Sequence, residues 1–143
     1  MKKDFIRDYT AEAFRLYALN GSKTTEEIKK QIYEDSLREN TLKNPQTAVL
    51  KAEEAVKNAM PLLSDIEAVH KTLQALEKAG KDRAVKAIKA VYFTMPSKKI
   101  ARGDISNRVR RFAVTNYCTE RGVYSDLREA RKLLAYFRGL RVE

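Results

Sequence analysis

Residues 112–127 have the sequence FAVTNYCTERGVYSDL, and this pattern determines how the C-terminal part of the chain is expected to fold. The small residue Ala113 lies near the end of one amphipathic helix and allows a second helix to approach closely. After a short connector comes Thr119, a residue type that caps helix N-termini. Val123 and Leu127 then lie on the side of the second helix that packs onto the first. The pattern predicts a helix-turn-helix motif.

The second helix of this motif carries the candidate DNA-reading residues. A cap at Thr119 leaves the residues after it facing outward, where they can reach base edges in a major groove. The predicted base-reading residues are Glu120, Arg121, Tyr124, Ser125 and Arg128. Arg121 is the candidate for a bidentate contact to guanine. The residues predicted to contact phosphates are Lys98, Lys99, Arg102, Arg108, Arg110, Arg111, Arg131 and Lys132. The alternative is an ordinary helical hairpin whose basic side chains face solvent.

The charge of the chain is concentrated around this motif. The 143 residues carry a formal net charge of +10. Residues 1–80 hold 13 basic and 13 acidic side chains, whereas residues 81–143 hold 16 basic and 6 acidic ones. A positive half joined to a neutral half favours a polyanionic partner, of which nucleic acid is the commonest. The alternative is a soluble basic protein with no nucleic-acid role.

The rest of the chain predicts an all-α fold of about seven helices. Each long segment has apolar residues at helical spacing, and no segment alternates in the period of a strand for more than a few residues. The first predicted helix covers about 3–19, and the second is capped by Thr24 with Glu27 and ends at a loop over 39–45. The third helix is interrupted by Pro61, and the fourth is capped by Ser64 with Glu67. The last three helices are one capped by Asp82 that includes Met95 on its apolar face, one capped by Asp104, and the helix after Thr119.

The proline-containing junction near residue 62 predicts a boundary between two parts of the chain. Residues 1–62 form an N-terminal helical part, with dimerisation or partner binding as its expected role. Residues 63–143 form a basic helix-turn-helix domain for DNA binding. The alternative is that residues 1–62 complete one core with the C-terminal helices.

The run from Ser64 to Leu140 resembles the four-helix region of sigma factors that reads the −35 promoter element, and is most similar to sigma-like phage regulators of the ArpU and RinA type. The resemblance lies in a helical pair at 65–79 and 82–95 and in Thr119-x-x-x-Val123-Tyr124-x-x-Leu127-x-x-Ala130-Arg131. It covers a little over half of the chain. Gly122 departs from the family, which has a β-branched residue there. The resemblance implies transcription regulation and makes RNA polymerase a candidate partner.

Several other classes of protein are not expected. One Cys and one His cannot form an internal disulfide or a zinc cluster, and the chain has no Gly-rich phosphate loop or nucleophile elbow. We therefore expect no enzyme activity, no metal and no cofactor. The chain also has no apolar run of membrane-spanning length and no signal peptide, so a cytoplasmic location without membrane contact is the expectation. His70 is predicted to be a surface residue and Cys118 a packed small residue in the turn.

These features together predict a sequence-specific DNA-binding transcription regulator. Double-stranded DNA is the expected partner, and RNA polymerase and a second copy of the chain are further candidates. The alternative from another class is a helical protein-protein adaptor whose basic face binds an acidic partner. RNA binding is a third hypothesis, disfavoured because modules for single strands mostly use sheet surfaces with stacking aromatic side chains.

Overall fold

The computed structural model describes residues 5–101 and 103–140, and these residues form seven α-helices and no strand. The helices are α1 (Phe5–Leu19), α2 (Thr25–Lys43), α3 (Ala48–Asn58), α4 (Met60–Lys78), α5 (Asp82–Tyr92), α6 (Asp104–Thr115) and α7 (Glu120–Arg138). The predicted all-α fold of about seven helices is confirmed. None of the described helices is long and apolar enough to cross a membrane.

Helix α7 lies at the centre of the packing and contacts α1, α4, α5 and α6. Its buried stripe consists of Val123, Leu127, Ala130 and Leu134, each at most 1% exposed. These residues recur every three to four positions, which keeps them on one face of the helix. The inward face predicted for this helix is therefore confirmed. Because this face packs against the core, the opposite face of α7 is exposed to solvent.

Helix α1 belongs to the same core as the C-terminal helices. It packs against α4, α5 and α7. The buried rings of Phe14 in α1 and Tyr92 in α5 stack with centroids 5.2 Å apart and planes 8° from parallel. Side chains from both sides of residue 62 thus line one hydrophobic core. The division of the chain into functional parts at that residue remains a prediction.

Helices α2 and α3 form a hairpin that projects from this core. The two helices pack along each other, and the only other described helix that they contact is α4. Ile28, Ala48 and Ala52 are the buried hydrophobic residues of the hairpin, whereas Leu42 is 91% and Leu50 66% exposed. The described part of the hairpin therefore leaves apolar side chains without cover near its turn.

The sequence located two helix N-termini correctly. The Oγ1 of Thr24 accepts a hydrogen bond from the Glu27 amide, and the Glu27 carboxylate accepts one from the Thr24 amide, which completes the predicted capping box. The Oγ1 of Thr119 accepts from the Gly122 amide at 3.0 Å. The cap on which the helix-turn-helix interpretation depends is therefore present.

The predicted loop at 39–45 is wrong over most of its length, because α2 continues to Lys43. Asn40 and Thr41 favour loops when their side chains compete with the helix for backbone groups. Here Asn40 Nδ2 donates to the Ser36 carbonyl at 2.8 Å, and Thr41 Oγ1 donates to the Leu37 carbonyl. Both side chains bond back along the helix, so they do not end it.

The predicted junction at Pro61 is also displaced. Helix α3 ends at Asn58, and Pro61 lies in the first turn of α4. Proline is tolerated there because the first amide groups of a helix have no acceptor within it. Ser64 consequently lies inside α4, and the predicted capping box between Ser64 and Glu67 is wrong.

The predicted caps of α5 and α6 are each displaced by one residue. Asp82 and Asp104 are the first residues of their helices, and neither helix has a side-chain cap. Carboxylates in a first turn still favour the helix dipole. Asp104 Oδ2 also accepts a hydrogen bond from the Ala101 amide at 2.6 Å. This contact fixes the approach of the chain to α6.

Two further predictions about single side chains are wrong. Helix α5 ends at Tyr92, so Met95 has left the helix with φ of +50° and is 59% exposed. His70 is half-buried rather than at the surface, with Nδ1 3.3 Å from the Tyr17 hydroxyl and Nε2 3.1 Å from the Lys23 carbonyl. Tertiary packing of α1 against α4 creates this environment, which the pattern of α4 alone does not contain.

Candidate nucleic-acid interface

The connector between α6 and α7 is short and tightly hydrogen-bonded. The Asn116 amide donates to the Phe112 carbonyl at 2.9 Å, and the Cys118 amide donates to the Ala113 carbonyl at 3.0 Å. Ala113 and Val123 are both buried where the helices meet. Cys118 packs against the core, as predicted for a small residue in the turn. The two helices and the connector between them therefore have the arrangement that the sequence of residues 112–127 predicts.

Tyr117 occupies a left-handed backbone conformation in this turn. Its φ is +54°, and its side chain is 97% exposed. This conformation costs about 1–2 kcal/mol for a residue with a Cβ.

We expect Tyr117→Gly to raise the free energy of unfolding relative to Tyr117→Ala by up to about 1 kcal/mol. Glycine removes the Cβ clash, whereas alanine removes the ring but keeps the clash. Equilibrium urea unfolding of the two variants measures the difference. A glycine variant that is less stable than the alanine variant would contradict the assigned backbone conformation.

The five predicted base-reading residues all lie on the accessible side of α7. Glu120, Arg121, Ser125 and Arg128 are exposed, and Tyr124 is 37% exposed. Arg121, Ser125 and Arg128 recur every three or four residues, so they follow one stripe along the helix. The structure therefore brings the predicted residues together on one surface, which we call the α7 outer face and define as Glu120, Arg121, Tyr124, Ser125, Arg128 and Lys132.

The acidic residues further along α7 point toward α5 and form ion pairs with it. Arg83 of α5 donates to both carboxylate oxygens of Asp126, with Nε to Oδ2 at 2.7 Å and Nη2 to Oδ1 at 3.3 Å. Lys81, the residue just before α5, forms a single Nζ–Oε1 ion pair with Glu129. Within the residues that the structure describes, no ion pair involves Arg121, Arg128 or Lys132. These three cations of the outer face thus have no acidic partner among the described residues.

Glu120 differs from its neighbours on this face because it has a basic partner. Its Oε1 lies 3.8 Å from Nε of Arg110, which projects from α6. The two side chains are 52% and 68% exposed, so the pair is weak. The pair therefore costs little to separate.

The predicted phosphate contacts divide into two groups. Lys98, Lys99, Arg110, Arg111 and Lys132 are exposed. Arg108 and Arg131 are half-buried, and each already donates a hydrogen bond within the protein. Arg108 donates to the Val91 carbonyl at 2.6 Å, and Arg131 donates to the Tyr92 hydroxyl at 3.0 Å. Arg102 lies outside the described residues. Among the exposed cations, Arg110 would first have to leave Glu120. The other four form no ion pair with the described residues and can reach a phosphate without losing one: Lys98, Lys99, Arg111 and Lys132.

A cleft beside the α7 outer face is the feature that the sequence did not indicate. It has a volume of about 790 Å³ and lies between α1, the segment before α6, and α7. Its lining includes Lys99, Tyr124, Arg128 and Arg131, together with Asp8 and Glu12 of α1. The position of α1 across α7 follows from core packing, so no local pattern could have predicted this cleft.

Hydrogen bonds and burial set the protonation of two groups in the cleft. Glu12 accepts hydrogen bonds from Arg15, and these lower the pKa of its carboxyl. Burial raises the pKa of the Tyr92 hydroxyl, partly opposed by the neighbouring Arg131. Glu12 is therefore ionised and Tyr92 neutral near pH 7. Within the described residues, no three His, Cys, Asp or Glu side chains are grouped to hold a metal ion.

Comparisons of the chain with protein-family models, with curated proteins and with solved structures found no match. The resemblance to sigma-like regulators therefore rests on residues 64–140 alone and stays a prediction. The functional argument depends on the geometry and charge of the α7 outer face.

Proposed function

We propose that this protein is a sequence-specific DNA-binding transcription regulator that inserts α7 into the major groove of duplex DNA. The observation that supports it is that Arg121, Arg128 and Lys132 of the α7 outer face form no ion pair with the described residues. Two of the three acids of this helix are paired away from the outer face, Asp126 with Arg83 of α5 and Glu129 with Lys81, the residue just before α5. A helix face with three cations unpaired in the described chain and one acid, Glu120, that is itself paired with Arg110 fits a groove lined by phosphates.

In this proposal the first turns of α7 read bases and the flanking cations hold the backbone. Arg121 lies in the first turn, where a recognition helix meets base edges, and its guanidinium can donate two hydrogen bonds to guanine O6 and N7. Ser125 and Tyr124 provide hydroxyl groups one turn further on. Lys98, Lys99 and Arg111 supply phosphate contacts that set the register without reading sequence.

The α2–α3 hairpin is the surface that we assign to protein partners. Residues 25–58 carry six basic and seven acidic side chains, so this part of the molecule lacks the positive charge that would draw it to DNA. Leu42 and Leu50 are exposed near its turn. RNA polymerase and a second copy of the chain are the candidate partners, and a dimer would present two recognition helices to adjacent half-sites.

Selection of bound sites from a pool of random duplexes tests the proposed function directly. Repeated capture by the full chain should enrich one short motif, because base contacts discriminate between sequences by about 1–3 kcal/mol per base pair. Retention of the duplexes without an enriched motif would contradict sequence-specific recognition. The enriched motif also supplies the cognate duplex for the variant experiments.

We expect the affinity for duplex DNA to fall steeply as salt is added. Neutralised phosphates release counterions, so the logarithm of the association constant should fall by about 0.9 per phosphate for each unit in the logarithm of salt concentration. Fluorescence anisotropy of a labelled duplex between about 50 and 200 mM salt measures the slope. Absence of duplex binding at the lowest salt would overturn the proposal.

The exposed leucines of the hairpin favour one other function, that of a protein-protein adaptor. In that case the basic face would bind an acidic protein surface instead of DNA. The adaptor hypothesis predicts that an acidic polypeptide such as polyglutamate competes as well as duplex DNA for the protein. A duplex that binds far more tightly than polyglutamate at equal charge would exclude it.

A further inference from the structure

The cleft beside α7 combines several features that bind anions. Lys99, Arg128 and Arg131 line it, and the first turn of α6 contributes Ile105 and Ser106 to the same wall. The first amide groups of a helix have no acceptor within the helix, and the helix dipole places positive potential at that end. The Asp104 amide already donates to the Ala101 carbonyl, and the Asp104 carboxylate in the same turn offsets part of this potential. A phosphate group at this wall would thus meet the exposed cations Lys99 and Arg128 together with the remaining amide dipoles of the turn.

The two acidic residues that line the cleft cancel this potential only in part. Glu12 accepts hydrogen bonds from two nitrogen atoms of Arg15, at 3.0 and 2.5 Å, and Asp8 lies 3.7 Å from Arg7. Arg15 therefore balances Glu12, whereas the exposed pair of Arg7 with Asp8 is weak and offsets the Asp8 charge only in part. Lys99 also lies close enough to Glu12 to lower the pKa of that carboxyl, but it remains exposed.

The volume of the cleft and its apolar lining residues restrict the size and the chemical class of the ligand. A volume of about 790 Å³ lies within the range of small-molecule sites, about 300–1,000 Å³. Ile100, Ile105 and the ring of Tyr124 give part of the cleft an apolar surface. We propose that the cleft binds a phosphorylated small molecule of nucleotide size, with its phosphates at Lys99, Arg128 and the α6 N-terminus and its aromatic part against Tyr124.

Binding of this ligand would compete with DNA. Tyr124 and Arg128 belong both to the cleft and to the α7 outer face, so one side chain cannot serve both partners at once. This second step rests on the proposed function, whereas occupation of the cleft does not. The ligand would then act as an effector that releases the protein from its site.

Isothermal titration of the full chain with three probes tests the proposal. ATP carries phosphates and an aromatic base, inorganic triphosphate carries only the phosphates, and adenosine carries only the base and sugar. We expect saturable binding of ATP and at least about tenfold weaker binding of each partial probe, because each loses one set of contacts. No saturation by ATP up to about 1 mM, or equal affinity for triphosphate, would overturn the proposal.

Variants of exposed residues locate the site. Lys99→Ala and Arg128→Ala should each weaken ATP binding about tenfold, because each removes a charged hydrogen-bond donor. Arg111→Ala is the matched control, since it removes an exposed cation of α6 that does not line the cleft. Equal losses in all three variants would indicate general attraction to a basic protein and would overturn the assignment.

Duplex displacement separates this proposal from the proposed function. Addition of ATP should lower the anisotropy of a bound, labelled cognate duplex. ATP binding without any duplex binding would contradict only the DNA function. Duplex binding without ATP binding would contradict only the cleft ligand, and ATP binding that leaves duplex affinity unchanged would overturn the competition.

Discussion

Arg121→Ala should weaken binding to the cognate duplex by about 1–3 kcal/mol, roughly 5- to 150-fold in Kd. The Arg121 side chain is exposed in the first turn of α7 and forms no ion pair with the described residues. Its loss therefore removes a bidentate base contact without breaking a contact within the protein. Affinity for a random duplex should change much less, because only one of many charges is lost. Anisotropy titrations with both duplexes measure the two changes.

Two arginine variants serve as controls for this result. Arg111→Ala removes an exposed cation from α6 that is assigned to a phosphate, so it should weaken cognate and random duplexes alike. Arg38→Ala removes an exposed cation from α2, on the hairpin, and should change neither affinity appreciably. If Arg121→Ala weakens both duplexes equally, Arg121 contacts a phosphate and does not read the sequence.

The sequence predicted the helical part of this structure well because helix formation here follows local rules. Apolar residues at helical spacing located all seven helices of the described chain, and side-chain oxygens located the N-termini after Thr24 and Thr119. The errors occurred where one residue type has two local roles. Pro61 can end a helix or begin one, and Asn40 can bond to a turn or back along its own helix.

The candidate site was only partly predictable for a different reason. Membership of the α7 outer face follows from helical periodicity, so the five base-reading candidates could be chosen correctly as exposed residues. The pairing of Asp126 with Arg83 joins positions 43 residues apart. The half-burial of Arg131 against Tyr92 joins positions 39 residues apart. Such contacts depend on how the helices pack, and they decide which charges remain available to a partner.

The availability of the α7 outer face depends in turn on the core beneath it. Helix α7 contacts four other helices, and its stripe of apolar side chains determines which face it turns to solvent. A rotation of α7 by one residue position would carry Arg121 toward the core and Asp126 toward solvent. Core packing on α7 is therefore a condition for the proposed function as well as for stability.

Leu127→Ala should lower the free energy of unfolding by about 2–5 kcal/mol, because it removes buried methyl groups and leaves a cavity. Leu127 is 0% exposed and lies one helical turn from the buried Val123 and Ala130. Leu42→Ala is the matched control, since the same atoms are removed from a side chain that is 91% exposed. That variant should change stability by less than about 0.5 kcal/mol. Urea unfolding followed by circular dichroism measures both. A loss below about 1 kcal/mol for Leu127→Ala would place α7 outside the core and would remove the structural basis for its outer face.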